Sequence, residues 1–527
     1  MNYDALPYPS LPVAQTHPER LATAVTLLGM RPAPVDRCRV LELGCASGGN
    51  LLPMAAALPG SRFLGVDLSA RQVAAGQALL AESGLTNVEL RTADLTTLLD
   101  DPPGGPALGE FDYILAHGVY SWVPESVQRA MLELCRKRLA PQGIAYISYN
   151  TLPGFYRRQP IRDMMRYHVA NLAQDGQPLP PAVATQHARE LLERLAQSVP
   201  NPGGSSVWSL LLKQEHEHIR QLPDSYLAHE HLEEDNRPCY FHEFAARAAS
   251  HGLQYATEAE RLGTVDDFPP GMDKLLRSLG DDLIKHEQYL DFVRHQSLRC
   301  SILCRAEVQL ERSLSSEPAR TLRMSANAWP ATDSPPKKSH IRSGAAVPFR
   351  SRLGQVTVPD PGYKAVLLAL HNSRPRALSF AELGELAGEL VGDTYTDEAL
   401  ADIVMHAYRT GLLKLHVQPP RMSVQVSERP RATGVARTQA RQHLTVTNLW
   451  HQTVELDPLE RVTLSLLDGE HDVAALLNEL VQAVRSGVLV VERAGAGTLN
   501  EPALRDMLSA RLPTVLTTFA TTALLVD

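Results

Sequence analysis

The chain has 527 residues, a length that corresponds to about three domains of roughly 150 residues each. Hydrophobic residues make up 44% and charged residues 21%, values that allow buried cores and exclude wholesale disorder. With 51 Lys and Arg against 59 Asp and Glu, the formal net charge of -8 argues against general nucleic-acid binding through phosphate neutralisation.

Cysteine usage and the amino-terminal sequence indicate the compartment. The six cysteines form no CxxC pair and no disulfide framework, which favours a reducing environment. The start, MNYDALPYPSLPVAQ, has no basic region followed by an apolar one, and no window approaches about 18 uninterrupted apolar residues. We therefore expect a cytoplasmic protein without membrane insertion.

Strand and helix patterns alternate in the first part of the chain, residues 1–154. RVLELG predicts a strand, followed by the glycine-rich turn CASGGN and the helix LLPMAAAL. The same alternation continues through SRFLGVDLS, ARQVAAGQALLAESG, NVELRTADL, FDYILA, ESVQRAMLELCRKRL and GIAYISYN. It predicts an α/β domain whose parallel sheet is covered by helices on both faces.

The sheet is expected to resume after an insertion. Residues 155–235 have helical patterns and no convincing strand, which predicts an inserted helical cap. Between 236 and 310, LQYATEAE and RCSILCRAEV predict a sixth and a seventh strand. The result would be a Rossmann-like seven-stranded sheet built from two separated stretches.

The last third of the chain predicts a different organisation. Residues 311–345 are rich in Ser, Pro and Ala and predict a linker. Residues 346–425 have the helix–helix–helix–strand character of a winged helix, and a second such α+β unit is predicted in 426–527. The two units do not align closely enough to establish a repeat.

The turn after the first strand supplies the first candidate binding residues. In LELGCASGG, Glu42, Gly44, Ala46 and Gly48 are spaced by two residues. A side chain at Gly44 or Gly48 would fill the space that a nucleotide-like ligand needs above the loop. A purely structural turn and a dinucleotide loop are the alternatives.

Two acids narrow these alternatives. Asp67 ends the second predicted strand, where a carboxylate can accept both ribose hydroxyls, and Asp94 follows the third, where it can accept from an adenine amino group. Taken singly, either acid could instead cap a helix. ELGCASG differs from the GxGxxG loop of dinucleotide dehydrogenases, and the second acid favours an adenosyl ligand without a pyrophosphate.

Together, the ExGxxxG turn and the two acids resemble class I S-adenosylmethionine methyltransferases. The segments YDALPYPSLPVAQTHPERLATAVTLLGM, AHGVYSWVP, SYNTLPGFYRR, DSYLAHEHLEEDNRPCYFHEFAARAASHGLQYATEAE and EQYLDFVRHQSLRCSILCRAE are similar to bacterial methyltransferases with a methyltransferase regulatory domain. That family includes protein-lysine methyltransferases acting on outer-membrane proteins. The resemblance spans most of residues 1–310 and does not fix the methyl acceptor.

The resemblance implies S-adenosyl-L-methionine as the cofactor. The glycine turn would line its methionine and ribose, the acids after the next two strands would hold ribose and adenine, and the amino-terminal arm would fold over as a lid. The residues so implied are Tyr8, Thr16, His17, Glu42, Gly44, Cys45, Gly48, Gly49, Asp67, Leu68, Asp94 and Leu95. Ala46 stands where many class I enzymes carry a glycine, a departure expected to be mild because a methyl group is small.

Acceptor residues are expected at the carboxyl ends of the fourth and fifth strands, where open parallel sheets bind ligands. In-line methyl transfer mainly requires positioning and exclusion of water. A lysine acceptor must also be neutral, and its ammonium product suits an aromatic cage. The candidates are His117, Tyr120, Trp122, Tyr149 and Asn150. For Tyr120 and Trp122 the alternative is packing against the cap, and for His117 it is a hydrogen-bonded loop residue instead of a general base.

Three functions remain open on the sequence. The first is a protein methyltransferase, acting on lysine, whose accessory regions extend the surface for a polypeptide substrate. The second is a methyltransferase for a small metabolite, with the C-terminal region serving a homodimer. The third is a cofactor-sensing regulator that binds nucleic acid, against which the acidic balance counts. No metal is expected, because the HEHLEED and EHEHIR segments match no ligand spacing and fit solvated helix faces.

Overall fold

The computed structural model describes residues 4, 6–101, 108–173, 177–198, 206–260, 270–313, 315–332, 336–351, 354–392, 394–490 and 500–527. Its largest element is a seven-stranded sheet. The strands are β1 (Arg39–Leu43), β2 (Arg62–Asp67), β3 (Val88–Thr92), β4 (Phe111–Ala116), β5 (Leu139–Asn150), β6 (Leu253–Glu258) and β7 (Leu298–Arg305). Their order in the sheet is β3-β2-β1-β4-β5-β7-β6.

The sheet confirms the predicted α/β fold class and is mixed. Strands β1 to β5 pair in parallel, whereas β7 lies between β5 and β6 and is antiparallel to both. The alternation of strand and helix patterns does not encode the direction of a strand that inserts between two others, so the sequence predicted only a parallel sheet.

Helices cover both faces of this sheet. They are α1 (Pro18–Thr26), α2 (Leu51–Ala57), α3 (Ala70–Ser83) and α4 (Glu125–Arg138), followed after the insertion by α9 (Phe241–Ser250), α10 (Pro270–Ser278) and α11 (Leu283–Arg294). Val40 of β1 packs in the core shared with α1, α2 and α3, and Leu41 packs in the core shared with α4 and α9. Both side chains are fully buried, as expected for a strand covered on both faces.

The inserted cap is helical in its described part. It contains α5 (Gln159–Asn171), α6 (Pro181–Ser198), α7 (Val207–Arg220) and α8 (Asp224–Leu227), followed by a π-helical turn at Ala228–Leu232. These helices enclose an apolar cluster of their own, which includes Met165, Leu192 and Leu212. The cap therefore buries its own core and reaches the sheet through the segment that precedes α9.

The stretch predicted as a linker is structured, which corrects that prediction. Its described part contains β8 (Arg323–Ala326), β9 (Ala328–Pro330) and α12 (Lys338–Arg342), while residues 314 and 333–335 lie outside the described residues. Strand β8 pairs with a strand at Leu413–His416, and β9 pairs with one at Val347–Ser351. A Ser- and Pro-rich composition did not reveal strands whose partners lie far along the chain.

Two helical units complete the molecule. The first contains β10 (Val347–Ser351), β11 (Gly354–Val358), α13 (Pro361–Asn372), α14 (Phe380–Val391), α15 (Asp397–Arg409) and β12 (Leu413–His416). The second contains α16 (Gly434–Gln442), β13 (Thr445–Thr447), β14 (Thr453–Glu455), α17 (Pro458–Ser465), α18 (Val473–Arg485) and α19 (Glu501–Thr521). Among the residues that the structure describes, no helix has the length and apolar character needed to cross a membrane.

The second unit docks directly on the helices that follow β1 and β2. Helix α16 packs against α2 and α3, and Val435 belongs to the same apolar core as Val40. At Gly434 the approach is close enough that an added Cβ would lie 2.4 Å from the Ser83 carbonyl oxygen. The carboxyl-terminal unit thus supports the two helices that follow the β1 and β2 turns.

Substituting Gly434 by Ala should weaken this docking. The new Cβ would meet backbone rather than a movable side chain, so we expect the free energy of unfolding to fall by about 1–3 kcal/mol. Thermal and urea unfolding of the full chain would measure it. Gly271→Ala in α10 is the control, because a Cβ there meets no described atom within 4 Å and alanine is the better helix former. Equal losses in both variants would contradict the docking argument.

Candidate active site

The turn between β1 and α2 leaves little room for side chains. Gly44 and Gly48 have φ values of 74° and 76°, in the left-handed region that favours glycine. A Cβ at Gly44 would lie 2.5 Å from Val119 Cγ2. The amides of Gly44 and Cys45 both donate to the Val66 carbonyl oxygen, at 2.8 and 3.1 Å, and so tie the turn to β2. The thiol of Cys45 is buried, which raises its pKa.

Ala46 adopts a backbone conformation in this turn that is unusual for a residue other than glycine. Its φ of 49° lies in the left-handed region, which costs a non-glycine residue about 1 kcal/mol. Its amide donates to Asp67 Oδ2 at 2.8 Å. The departure from glycine therefore acts through the backbone conformation, at a small cost.

Asp67 connects the ends of two strands. Its Oδ1 accepts from the Ser69 amide at 2.8 Å, and its Oδ2 accepts from Ala46. The cap of α3 is Ser69, whose hydroxyl accepts from the Gln72 amide. The carboxylate thus lies between the β1 turn and the end of β2, beside Leu68, whose side chain is 74% exposed.

Asp94 behaves differently. It follows β3 and caps a 3-10 turn at Leu95–Leu99, where its Oδ1 accepts from the amide and the hydroxyl of Thr96 at 2.9 and 2.8 Å. The helix-capping alternative for Asp94 therefore accounts for the contacts of one of its two carboxylate oxygens, Oδ1. Its side chain is exposed at the same edge of the sheet as Asp67, and Leu95 is half-buried beside it.

The amino-terminal arm lies directly on the glycine turn. The Ser10 hydroxyl accepts from the Gly49 amide at 2.7 Å, and a Cβ at Gly49 would lie 2.0 Å from the Ser10 carbonyl oxygen. The Val13 backbone amide donates to Asn50 Oδ1 at 2.8 Å, and the side-chain nitrogen Nδ2 of Asn50 donates to Thr16 Oγ1 at 3.0 Å. The arm thus covers the turn as a lid would.

The arm also contacts the cap. His229 Nε2 donates to the Leu6 carbonyl oxygen at 2.6 Å. The Tyr8 ring lies 5.8 Å from the ring of His229 and 6.4 Å from that of Tyr226. Since Ser10 and Val13 bind the glycine turn, this segment spans from the cap to the end of β1.

Two buried groups under the arm have unpaired atoms among the described residues. Glu42 is 4% exposed, and burial raises its pKa to about 7. Its Oε1 accepts from Asn50 Nδ2 at 2.6 Å, whereas its Oε2 has no partner. His17 accepts from the Glu19 amide through Nδ1, and its Nε2 is unpaired. Burial lowers the His17 pKa to about 4, so the ring is neutral at pH 7.

These features fit an adenosyl sulfonium ligand. The turn excludes side chains, Asp67 presents carboxylate oxygens between two strand ends, and Glu42 keeps a buried oxygen without a donor. A carboxylate oxygen of this kind suits an ammonium group. The residues that sequence reasoning missed here are Ser10 and Asn50, although Asn50 was visible as the polar residue that ends the CASGGN turn.

The predicted acceptor residues divide into two groups. Tyr120 and Tyr149 are buried on the α9 side of the sheet, with ring centroids 5.2 and 4.0 Å from that of Phe244. The Tyr149 hydroxyl lies 3.1 Å from Ser301 Oγ. Trp122 contacts the cap, with the Arg162 guanidinium 5.4 Å from its ring. Trp122 thus has the contact with the cap that was considered as its alternative, whereas Tyr120 and Tyr149 pack on α9 instead of the cap.

His117 and Asn150 lie at the carboxyl ends of β4 and β5. His117 Nδ1 is 2.8 Å from the Tyr146 hydroxyl, and burial lowers its pKa to about 4. The Asn150 amide donates to Ser121 Oγ at 2.8 Å, but the side-chain nitrogen of Asn150 has no partner among the described residues. A neutral imidazole and an unpaired amide thus occur at the edge where an acceptor was expected.

Asn236 joins this edge and was missed by sequence reasoning. Both polar atoms of its side chain are buried without a partner in the described part of the chain. The next residue, Arg237, donates its amide to the Ser121 carbonyl oxygen at 2.8 Å, which places Asn236 near Ser121 and Asn150. Its only sequence signal was an amide residue in the non-helical segment DNRP, directly before the helix that returns to the sheet.

Comparison with protein families finds three matches along the chain. A model described as "Methyltransferase domain" matches residues 41–145, and one described as "Predicted methyltransferase regulatory domain" matches 223–305. A third, "PKMT, C-terminal winged helix domain", matches 428–524. The matched regions include the glycine turn, the Asn236 segment and the unit that packs on α2 and α3.

Similar proteins extend over nearly the whole chain. The uncharacterized protein RP789 of Rickettsia prowazekii is 31% identical over 535 residues, covering 99% of this chain and 93% of that protein. Protein RP028 of the same organism is 37% identical over 248 residues, 47% of this chain. The structure of PKMT2 from Rickettsia typhi matches with a TM-score of 0.85 at 27% identity, covering 99% and 100% of the two chains. The same protein in complex with AdoHcy matches with a TM-score of 0.84.

Glu42→Gln should change how stability depends on pH. Because the pKa of Glu42 is raised from 4.5 to about 7 in the folded protein, its contribution is fully present below pH 4.5 and is lost as pH rises through 7. The variant should match the wild type at pH 4 and exceed it at pH 8 by up to about 3 kcal/mol in the free energy of unfolding. Unfolding curves at both pH values would measure this. Glu125→Gln, at an exposed ion pair on α4, is the control.

Asp67→Ala should weaken cofactor binding by about 1–3 kcal/mol, because the ribose hydroxyls would lose their acceptor. Calorimetric titration with AdoHcy would measure the loss. Asp112→Ala is the control, since Asp112, like Asp67, accepts from the backbone, namely from the Arg39 amide at 2.8 Å, but lies at the opposite ends of the strands. Unchanged affinity in Asp67→Ala would remove the ribose assignment.

Proposed function

Because the chain belongs to the family of class I S-adenosyl-L-methionine-dependent methyltransferases with a methyltransferase regulatory domain and a PKMT-type winged helix, we propose that it methylates lysine side chains of a protein substrate. It is an S-adenosyl-L-methionine-dependent methyltransferase. The observation that supports a protein acceptor is the similarity to PKMT2 over 99% of the chain, at a TM-score of 0.85. We take PKMT to denote protein-lysine methyltransferase.

The cofactor would be held by the glycine turn and two carboxylates. The exposed backbone at Gly44 allows close approach, Asp67 would accept from the ribose hydroxyls, and Glu42 Oε2 would accept from the ammonium group. When bound, the cofactor supplies a methyl group on a sulfonium sulfur. Ser10 and Val13 would then keep the arm over the turn and limit the access of water.

The acceptor nitrogen would lie at the edge formed by His117, Asn150 and Asn236. A lysine acceptor would have to give up its ammonium proton to solvent before it enters this edge, so that the neutral amine presents its lone pair to the methyl group. Asn236 Oδ1 can accept an N–H of the neutral amine and so direct its lone pair. Because His117 stays neutral at pH 7, it adds no positive charge that would repel the cationic product.

The predicted roles of Tyr120, Trp122 and Tyr149 in an aromatic cage stay proposals. Their rings pack on Phe244 and Arg162, so an acceptor would reach them only after these contacts rearrange. The side-chain amides of Asn150 and Asn236 are buried as well, but an acceptor that reached their unpaired atoms would break no hydrogen bond of the described residues.

Transfer of labelled methyl groups tests the substrate class. The full-length enzyme would be incubated with labelled cofactor and fractionated bacterial lysate, and the protein fraction would be hydrolysed and assayed for methyl-lysine. Labelled methyl-lysine in protein supports the proposal. Label confined to the low-mass fraction would favour the metabolite methyltransferase instead. A parallel incubation without the enzyme provides the background.

Asn236→Ala should slow turnover without weakening cofactor binding. Loss of a group that positions the acceptor should lower kcat by about tenfold or more while AdoHcy affinity stays within about twofold. The methyl-transfer assay and calorimetry measure the two effects separately. Asn171→Ala is the control, because the Asn171 side chain contacts only the Tyr167 carbonyl oxygen on α5 in the described bonds. Wild-type turnover in Asn236→Ala would contradict the role.

A further inference from the structure

The hairpin of the carboxyl-terminal winged helix has a strained tip. It joins β13 to β14, and the His451 amide donates to the Asn448 carbonyl oxygen at 2.9 Å. His451 has a φ of 57°, in the left-handed region, although it is not glycine. This conformation costs about 1 kcal/mol and persists only where surrounding contacts hold it. The side chain is 2% exposed, so these contacts are buried.

The strained tip aims His451 at the cofactor turn. His451 Nε2 lies 2.7 Å from Asn50 Oδ1, across 401 residues of sequence. That oxygen can only accept, so the imidazole donates from Nε2. Burial lowers the pKa of His451 well below its usual value, which keeps the ring neutral, and the hydrogen bond to Asn50 Oδ1 places its one proton on Nε2. The His17 ring packs beside it at 5.4 Å.

Asn50 links the hydrogen bond from His451 to Glu42, the acid that would bind the cofactor. Its Oδ1 also accepts from the Val13 amide, which is why its nitrogen faces Glu42 Oε1 at 2.6 Å. In the opposite orientation of the Asn50 amide, its nitrogen would face two N–H donors and its oxygen would face the Glu42 carboxylate. His451 and Val13 thus both hold the Asn50 oxygen on their side of the amide, which leaves the nitrogen facing Glu42 Oε1.

We propose that the winged helix completes the cofactor site, with His451 as a positioning residue that fixes the Asn50 amide and, through it, Glu42 and the glycine turn. This inference rests on the methyltransferase activity and not on the identity of the acceptor. It gives the carboxyl-terminal unit a role in binding the cofactor in addition to any part in binding a protein substrate.

A matched set of full-length variants tests the hydrogen bond separately from docking of the hairpin. His451→Gln keeps an N–H donor of similar reach, and His451→Leu keeps the volume without a donor. His451→Asn tolerates the left-handed backbone but is too short to reach Asn50. Trp450→Phe removes a different contact of the same hairpin, the 3.1 Å hydrogen bond from Trp450 Nε1 to the Pro375 carbonyl oxygen.

Two readouts are measured without any acceptor: AdoHcy affinity by calorimetry, and hydrogen exchange of the backbone amides at 44–52 in the ligand-free protein. In His451→Leu and His451→Asn we expect AdoHcy affinity to fall about fivefold to tenfold and exchange in this segment to accelerate. In His451→Gln and Trp450→Phe both readouts should stay within about twofold of the wild type.

Two results would overturn the proposal. One is wild-type affinity and exchange in both His451→Leu and His451→Asn. The other is an equal loss in all four variants, which would assign the effect to hairpin docking. His451→Asn keeps the test decisive if His451→Leu does not fold. A failure of lysine methylation would leave these measurements unchanged, because AdoHcy binding needs no acceptor.

Discussion

The side-chain amide of Asn50 is the contact on which the organisation of this site depends. It is hydrogen-bonded to Val13 of the arm, to Glu42 of β1 and to His451 of the carboxyl-terminal unit. An amide offers donors and acceptors in fixed directions, so satisfying these partners, together with Thr16 of the arm, fixes their relative positions. Because the side chain is buried, water does not readily replace a missing partner. One residue thereby couples three segments that are far apart in sequence.

The surroundings of Asn50 favour neutral groups. Burial lowers the pKa values of His17 and His451 and raises that of Glu42 to about 7. The same low polarity that disfavours these charges strengthens hydrogen bonds and the attraction of Glu42 for a cation. A ligand that brings a positive charge beside Glu42 would therefore favour its ionised form. The cofactor side of the site is accordingly arranged so that binding and ionisation assist each other.

Local patterns predicted the sheet and the cofactor turn, because short apolar runs, glycines and strand-end acids carry their meaning within a few residues. Glu42, Gly44 and Asp67 were proposed as cofactor-binding residues in this way. His451 was not proposed, since the residues next to it in sequence do not indicate a partner 401 residues away. Strand β8 was missed for the same reason, because its partner β12 lies in a distant segment. Asn236 required the fold to bring it beside Ser121, and its unpaired amide is visible only in three dimensions.

The two halves of the site differ in how much of their hydrogen bonding is already satisfied. On the cofactor side, the amides of Ala46 and Gly49 are engaged by Asp67 and Ser10, so a ligand that uses these groups must replace existing bonds. On the acceptor side, Asn236 has no partner in the described residues, so a ligand that pairs with it breaks nothing. A buried group that gains its first partner contributes more than one that exchanges partners. Discrimination among acceptors should therefore come from the amide edge, while the arm and the winged helix determine how readily the cofactor enters.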